Sequence, residues 1–124
     1  MQKNRTLLAI TELGGYPDFN ELYRECGLKV DTVNSMRKAL RSLKQNEYNI
    51  IVAEFNFQSD FRDRTSSLET LMSVVQQMDK VQIIIFYEKE YSHQFEKLRA
   101  RFSFHAELPY PIDAVKLKTA LFNT

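Results

Sequence analysis

Short apolar runs alternate along the chain with stretches in which apolar residues recur at the spacing of an α-helix. The runs predict strands at 6–10, 28–33, 50–53, 81–87 and 104–108. The third and fourth runs contain almost no polar residues, which is typical of parallel strands buried on both faces, whereas 28–33 alternates as an edge strand does. The alternation of the two patterns indicates an α/β protein.

Each predicted strand is followed by a predicted helix with identifiable boundary residues. The fourth helix is expected over 91–102, with Phe95, Leu98 and Phe102 facing inward. The expected boundary residues of the others are Pro17 and Gly27 for the first helix, Asn34 or Ser35 for the second, Ser66 with Glu69 for the third, and Asp113 for the last.

Strands separated by single helices must lie parallel, and right-handed connections then place helices on both faces of the sheet. We therefore predict a three-layer, doubly wound (βα)5 sandwich of the flavodoxin-like class, with strand order 2-1-3-4-5. The 124 residues are expected to form one domain, 1–124, that is large enough to bury a core without disulfides or metal.

Charge and cysteine content exclude several classes of function. Lys and Arg number 17 and Asp and Glu 16, so the formal charge of +1 offers no overall field for nucleic acid or an anionic membrane. Cys26 is the single cysteine, and the apolar run before Thr11 is too short for a signal peptide or a membrane span. We expect a soluble protein of a reducing cytoplasm.

The carboxyl ends of the first and third strands form the crevice in which this fold binds ligands. Thr11 and Glu12 end the first strand and Glu54 ends the third, so two carboxylates converge as a divalent cation site requires. The alternative is that these side chains simply face water. A flavin is not expected, because the segment 11–17, TELGGYP, lacks the run of hydroxyl residues that such a phosphate loop uses.

The whole chain resembles the receiver domains of two-component response regulators, which have the CheY-like fold. The segment 35–54, SMRKALRSLKQNEYNIIVAE, is similar to a receiver's second helix and third strand. The segment 107–117, ELPYPIDAVKL, is similar to the receiver ending that carries Lys-Pro before the last helix. The resemblance implies a role in signal transduction.

Nearly every reactive position of a receiver holds a different residue here. The resemblance places Glu54 at the phosphorylated aspartate, Thr11 and Glu12 at the acidic pair that binds Mg²⁺, and Phe86, or Tyr87 if the register slips by one, at the hydroxyl residue ending strand 4. It places Glu107 at the aromatic switch, Tyr110 at the lysine, and Pro111 at the proline that is usually cis.

These replacements disfavour phosphoryl transfer, which needs a metal, a cation and an acceptor in line with the phosphorus. The cation is missing, Thr11 is neutral, and Glu54 is longer than aspartate by a methylene group. We predict a pseudo-receiver without enzymatic activity, cofactor or resident Mg²⁺, in which Phe86 serves as packing. The alternative hypothesis is a degenerate but phosphorylatable regulator, with Glu12 and Glu54 binding Mg²⁺ and Glu54 accepting phosphate.

If the crevice accepts no phosphoryl group, function must lie in surfaces that bind a protein partner. The resemblance implies a surface formed by helix 4, strand 5 and helix 5, which includes His93, Lys97 and Arg101 and would also serve a homodimer. The loop 55–65 adds Phe57, Phe61 and Arg62, residue types common among binding anchors. The alternatives are an ordinary solvated helix face and phenylalanine rings that pack onto the domain.

Overall fold

In the computed structural model of the protein, the residues described are 5–11, 19–55, 67–78 and 80–124. A single turn of 3-10 helix, Lys89–Tyr91, precedes the fourth of the described helices. The strands are β1 Arg5–Ile10, β2 Leu28–Val33, β3 Ile50–Glu54, β4 Gln82–Tyr87 and β5 Ala106–Pro109. The helices are α1 Asn20–Glu25, α2 Met36–Gln45, α3 Ser67–Val75, α4 Ser92–Arg99 and α5 Ala114–Phe122.

The strands form one parallel sheet in the order β2-β1-β3-β4-β5, which confirms the predicted architecture. Helices α2, α3 and α4 cover one face, where Ile51, Ala53 and Phe95 belong to one buried cluster. Helices α1 and α5 cover the other face, where Val52 and Leu117 belong to a second cluster. The helical layers bury β3 and β4 on both sides, which explains their continuous apolar sequence.

Several predicted boundaries are confirmed by backbone contacts. The Ser35 side chain accepts a hydrogen bond from the Lys38 amide at 3.2 Å, and Asp113 accepts from the first amides of α5. Gly27 follows α1 with φ of +80°, a conformation that glycine adopts without steric cost. The predicted boundary residues Pro17 and Ser66 lie outside the described residues.

Two predicted elements differ from the structure. Strand β5 covers Ala106–Pro109 rather than 104–108, because Phe104 stacks on Phe95 with ring centroids 5.6 Å apart. Helix α4 ends at Arg99 rather than at 102, and a closing turn follows it in which the Phe102 amide bonds the Leu98 carbonyl at 2.9 Å. Phe102 is nevertheless buried as expected.

Tyr48 links the start of β3 to the edge strand β2. Its hydroxyl donates to Asp31 Oδ2 at 2.7 Å, and its side chain is buried. Burial first, and the neighbouring Asp31 carboxylate second, raise the pKa of Tyr48 above its ordinary value of 10.0. The folded protein therefore favours the neutral phenol.

This raised pKa predicts a stability loss at alkaline pH. The neutral Tyr48 phenol stabilises the folded protein fully below the pKa of about 10 that tyrosine has in the unfolded chain. This stabilisation is lost as pH rises through the higher pKa of Tyr48 in the folded protein, because the unfolded chain releases the proton first. Tyr48→Phe should remove this part of the pH dependence, besides costing about 1 kcal/mol at neutral pH for the hydrogen bond. Urea unfolding from about pH 8 to 11 tests this, and parallel curves for the two proteins would contradict it.

No helix within the described ranges is long and apolar enough to cross a membrane.

Candidate functional site

The candidate site lies at the carboxyl end of the sheet, where Glu54 is the last residue of β3. Residues of β3 alternate between the two faces, so Glu54 points to the same face as Ile50 and Val52, the one covered by α1 and α5. Its side chain is 6% exposed, and among the described residues it is the one charged or polar residue in the buried class. A buried carboxylate requires hydrogen-bond donors to offset its lost hydration.

Tyr110 supplies one donor from the opposite side of β4. Its hydroxyl donates to Glu54 Oε2 at 3.1 Å, although the residues are 56 positions apart. The Tyr110 amide donates to the Tyr87 carbonyl at 2.9 Å, and this bond extends the β4–β5 ladder past Pro109. The Tyr110–Pro111 peptide bond is cis. The ends of β3 and β5 are thus joined by a side-chain hydrogen bond.

Phe86 occupies the space between these two side chains on β4. It pairs with Glu54 on one side and Leu108 on the other, and it is 6% exposed. Its ring meets the rings of Phe19 and Tyr110 edge-on, with centroids 6.0 and 5.9 Å apart. The position therefore holds a packed aromatic ring and no hydroxyl group.

The acidic-pair positions follow β1. Ala9 pairs with Val52, so Thr11 lies level with Glu54 along the sheet, and its side chain is exposed. Its amide donates to the Val33 carbonyl at 2.9 Å. Glu12 lies outside the described residues.

The described part of the chain does not fit the Mg²⁺ that the receiver fold implies. Mg²⁺ needs oxygen ligands in near-octahedral geometry together with several waters. Glu54 is buried and accepts a hydrogen bond from Tyr110, while Thr11 contributes no charge. In the described ranges no three His, Cys, Asp or Glu side chains cluster as a metal site would require.

Glu107, at the switch-equivalent position, forms an ion pair. Its Oε1 lies 2.6 Å from Arg99 Nε, and the side chains are 27% and 32% exposed. The Arg99 guanidinium also lies over the rings of Phe95 and Tyr87, at 4.8 and 5.6 Å from their centroids. Together these contacts tie the end of α4 to β5 and β4.

Sequence reasoning did not single out Arg99. Eight positions and a change of element separate it from Glu107, so no helical or strand periodicity relates the two residues. The sequence did contain one indication of this role. Arg99 lies among the aromatic residues of 91–102, and guanidinium groups stack on aromatic rings.

Three residues predicted for the interaction surface lie within the described part of the chain, and one of them is engaged in an internal ion pair. His93 and Lys97 are exposed on α4. Arg101 is also exposed, but its Nη1 lies 3.1 Å from Glu69 Oε2 on α3, and its guanidinium lies 5.1 Å from the Phe102 ring centroid. The other candidates, Phe57, Phe61 and Arg62, lie outside the described residues.

An open groove of about 390 Å³ runs between β5 and α5. Val115 at its edge is 72% exposed. His105 Nε2 lies 2.9 Å from the Ala120 carbonyl and holds the start of β5 against α5. The residues lining the groove are His105, Ala106, Leu108, Val115, Lys116, Thr119, Ala120 and Asn123.

Comparisons with known proteins bear on the fold. No protein-family model and no curated protein matches the sequence. The fold is similar to that of a CheY-like response regulator receiver domain from Methylobacillus flagellatus, with a TM-score of 0.73, 19% identity and 98% of each chain covered. It is also similar to the chemotaxis protein CheY4 of Vibrio cholerae, with a TM-score of 0.72, 15% identity and 98% of each chain covered.

A sensor protein from Polaromonas sp. JS666 is similar as well, with a TM-score of 0.74, 15% identity, 98% of this chain covered and 95% of the other. The chain therefore has the receiver fold over nearly its whole length. At these identities the likeness is one of fold, and function has to be argued from the site.

Proposed function

We propose that this protein is a pseudo-receiver, a receiver-like module of a signalling pathway that acts through protein contacts without phosphorylation and without enzymatic activity. The observation that carries the proposal is the hydrogen bond from the Tyr110 hydroxyl to the buried Glu54 carboxylate. At the lysine-equivalent and phosphoacceptor-equivalent positions, the chain pairs a neutral donor with a shielded carboxylate.

A receiver needs its acceptor carboxylate open to an incoming phosphoryl group, with a metal and a cation to neutralise the developing charge. Here Glu54 is 6% exposed, and the Phe86 ring packs edge-on against Tyr110. A phenol carries no positive charge at neutral pH. The contacts that would stabilise a phosphoryl group are replaced by contacts that stabilise the folded chain.

The region that would respond to phosphate is likewise held by internal contacts. Glu107 pairs with Arg99, and Arg99 stacks on Phe95. A ligand shifts a conformational equilibrium only by its differential affinity for the two states. With the switch-equivalent position in an ion pair, we expect a single arrangement of α4 and β5 that does not depend on the crevice.

Protein contacts are then expected on the face formed by α4, β5 and α5. This face combines the exposed His93 and Lys97 with the groove beside Val115. An exposed apolar side chain rimmed by polar residues suits a protein interface. We propose a protein partner here, including a second copy of this chain, in the cytoplasm, where Cys26 would remain a free thiol.

The proposal predicts an unresponsive crevice. Amide NMR spectra should not change around Glu54, Phe86 and Tyr110 when millimolar Mg²⁺ is added and beryllofluoride, a phosphoryl mimic, follows. The reason is that Glu54 is already enclosed and hydrogen-bonded. Glu54→Gln keeps the size of the side chain and removes its charge, so it serves as the control.

Saturable shifts at these residues in the native protein, absent from Glu54→Gln, would overturn phosphorylation independence. They would instead support the hypothesis of a degenerate regulator in which Glu54 accepts phosphate. Shifts confined to residues away from the crevice, and equal in Glu54→Gln, would report weak ion binding elsewhere and leave the crevice unresponsive, as proposed. Shifts at the crevice residues that persist in Glu54→Gln would also contradict the proposal, because the crevice would then bind the ion without the Glu54 charge.

A further inference from the structure

Helix α2 carries a face of positive charge. The α2 basic face consists of Arg37, Lys38, Arg41 and Lys44, all of them exposed. The opposite side of α2 packs into the core through Met36, Ala39 and Leu43.

The cations of this face have no acidic partner among the described residues. The described ion pairs engage Arg99 at the end of α4 and Arg101 in the turn after it, and none of them includes a residue of α2. The neighbouring acid Asp31, on the edge strand, accepts the hydrogen bond of Tyr48. Lys29 lies two positions before Asp31 on β2, so it points to the same face, and its exposed side chain adds further positive charge.

The position of two of these charges opposes the stability of the helix. Arg37 and Lys38 lie in the first turn, directly after the N-cap Ser35, and that turn contains no acidic residue. The amino end of a helix carries partial positive charge, so cations there are unfavourable. The helix dipole therefore does not account for Arg37 and Lys38, although it favours Lys44 in the last turn. A bound anionic group would offset the charge of the first turn.

We propose that the α2 basic face binds an acidic segment of a protein partner. Arg37, Arg41 and Lys44 have the spacing i, i+4 and i+7 and form a stripe of about 10 Å along the helix. Carboxylates at matching intervals on one face of a partner helix would meet them. The two arginines offer bidentate pairing, which fixes the register of the partner.

A protein partner fits this face better than a membrane or a nucleic acid. The apolar side of α2 is buried in the core, so the helix has nothing to insert into a bilayer. The chain has a formal charge of only +1, which gives it no long-range attraction for a polyanion. The inference rests on the proposed role as a protein-interaction module and adds a second surface to it.

The test uses a blocked, helix-forming peptide with glutamates at i, i+4 and i+7 as the probe. The comparison peptide has the same composition with its glutamates distributed around the helix. We expect the striped peptide to bind more tightly, and binding should weaken as salt rises from about 50 to 300 mM. Fluorescence anisotropy with labelled peptide gives both dissociation constants.

The decisive variant is Arg37→Glu with Arg41→Glu, and the control is Arg24→Glu with Lys89→Glu, which changes the net charge equally at two exposed positions outside both proposed faces. We expect the α2 variant to raise the dissociation constant about tenfold or more and the control variant to change it less than about threefold. Arg37→Gln with Arg41→Gln, which avoids charge reversal, should show an intermediate loss. Thermal unfolding of each variant confirms that it is folded.

Equal losses in the α2 variant and the control variant, or equal binding of the two peptides, would overturn the proposal, because net charge alone would then explain the binding. Tighter binding of duplex DNA or phosphatidylserine vesicles through α2 would also overturn it and identify the other class of partner. Phosphorylation independence is judged separately by the Mg²⁺ and beryllofluoride spectra, so the two proposals can fail independently.

Discussion

Replacing Tyr110 with phenylalanine is expected to lower the free energy of unfolding by about 1–3 kcal/mol. The change removes a donor that lies 3.1 Å from Glu54 Oε2 and leaves a carboxyl group that is 6% exposed with one hydrogen bond fewer. Desolvation of a polar group in the interior is offset only while its partners remain. Urea unfolding of the native protein and the variant measures the difference.

Tyr87→Phe is the matched control, since it deletes the hydroxyl of a half-buried tyrosine whose described contacts are made by the ring. Tyr87→Phe should change the free energy of unfolding by no more than about 0.5 kcal/mol. A second substitution, Glu54→Leu in the Tyr110→Phe background, should recover much of the loss, because replacing both partners of a buried hydrogen bond by apolar groups can be nearly neutral. Equal stabilities of Tyr110→Phe and Tyr87→Phe would show that the hydrogen bond contributes nothing measurable.

Replacing Phe95 with alanine is expected to cost about 3–5 kcal/mol, the largest loss predicted for this protein. Phe95 is fully buried, and its ring lies 4.9 Å from Tyr87 and 5.2 Å from Phe55 between centroids. The Arg99 guanidinium lies over the same ring. The substitution would leave a cavity between α4 and the sheet and remove the surface on which Arg99 is held.

Phe95→Leu should cost less than half as much, because it keeps most of the apolar volume. Val115→Ala is the surface control: Val115 is 72% exposed, so its truncation should change stability by at most about 0.5 kcal/mol. Thermal and urea unfolding of the three variants give the ranking. A Phe95→Ala protein as stable as Val115→Ala would contradict the packing described for α4.

The crevice, the α4–β5–α5 face and the α2 basic face lie on different parts of the sandwich. Glu54 and Tyr110 lie at the carboxyl end of the sheet, α4 and β5 lie at one edge, and α2 packs near the other edge beside β2. If the crevice takes no phosphate, the two faces can act as independent contact surfaces on one rigid scaffold. Separate variants on each face therefore test separate functions.

Most boundaries of the elements followed from local pattern. The span of β2 and the caps Ser35 and Asp113 were predictable because each depends on residues a few positions apart. The end of α4 was not predictable from local pattern, because an ion pair between Arg101 and Glu69 on α3 favours the turn that follows the helix. Local periodicity carries no information about such a partner.

The sequence by itself determined the order and type of the elements and the position of Glu54 at the end of a buried strand. Alternation and helical spacing are local properties, and the parallel topology follows from them through chain connectivity. The sequence also contained the four basic residues of α2. Their exposure and the absence of acidic partners for them within the described residues are properties of the fold.

Only the tertiary structure decided that Tyr110 donates to Glu54 and that Arg99 pairs with Glu107. The first contact joins residues 56 positions apart, and its 3.1 Å length depends on the register of three strands. The second depends on how α4 packs across β4 and β5. A hydrogen bond forms only when the donor–acceptor distance lies within a few tenths of an ångström of its optimum. Contacts between residues far apart in the sequence are therefore fixed by packing of the whole domain and by no local pattern.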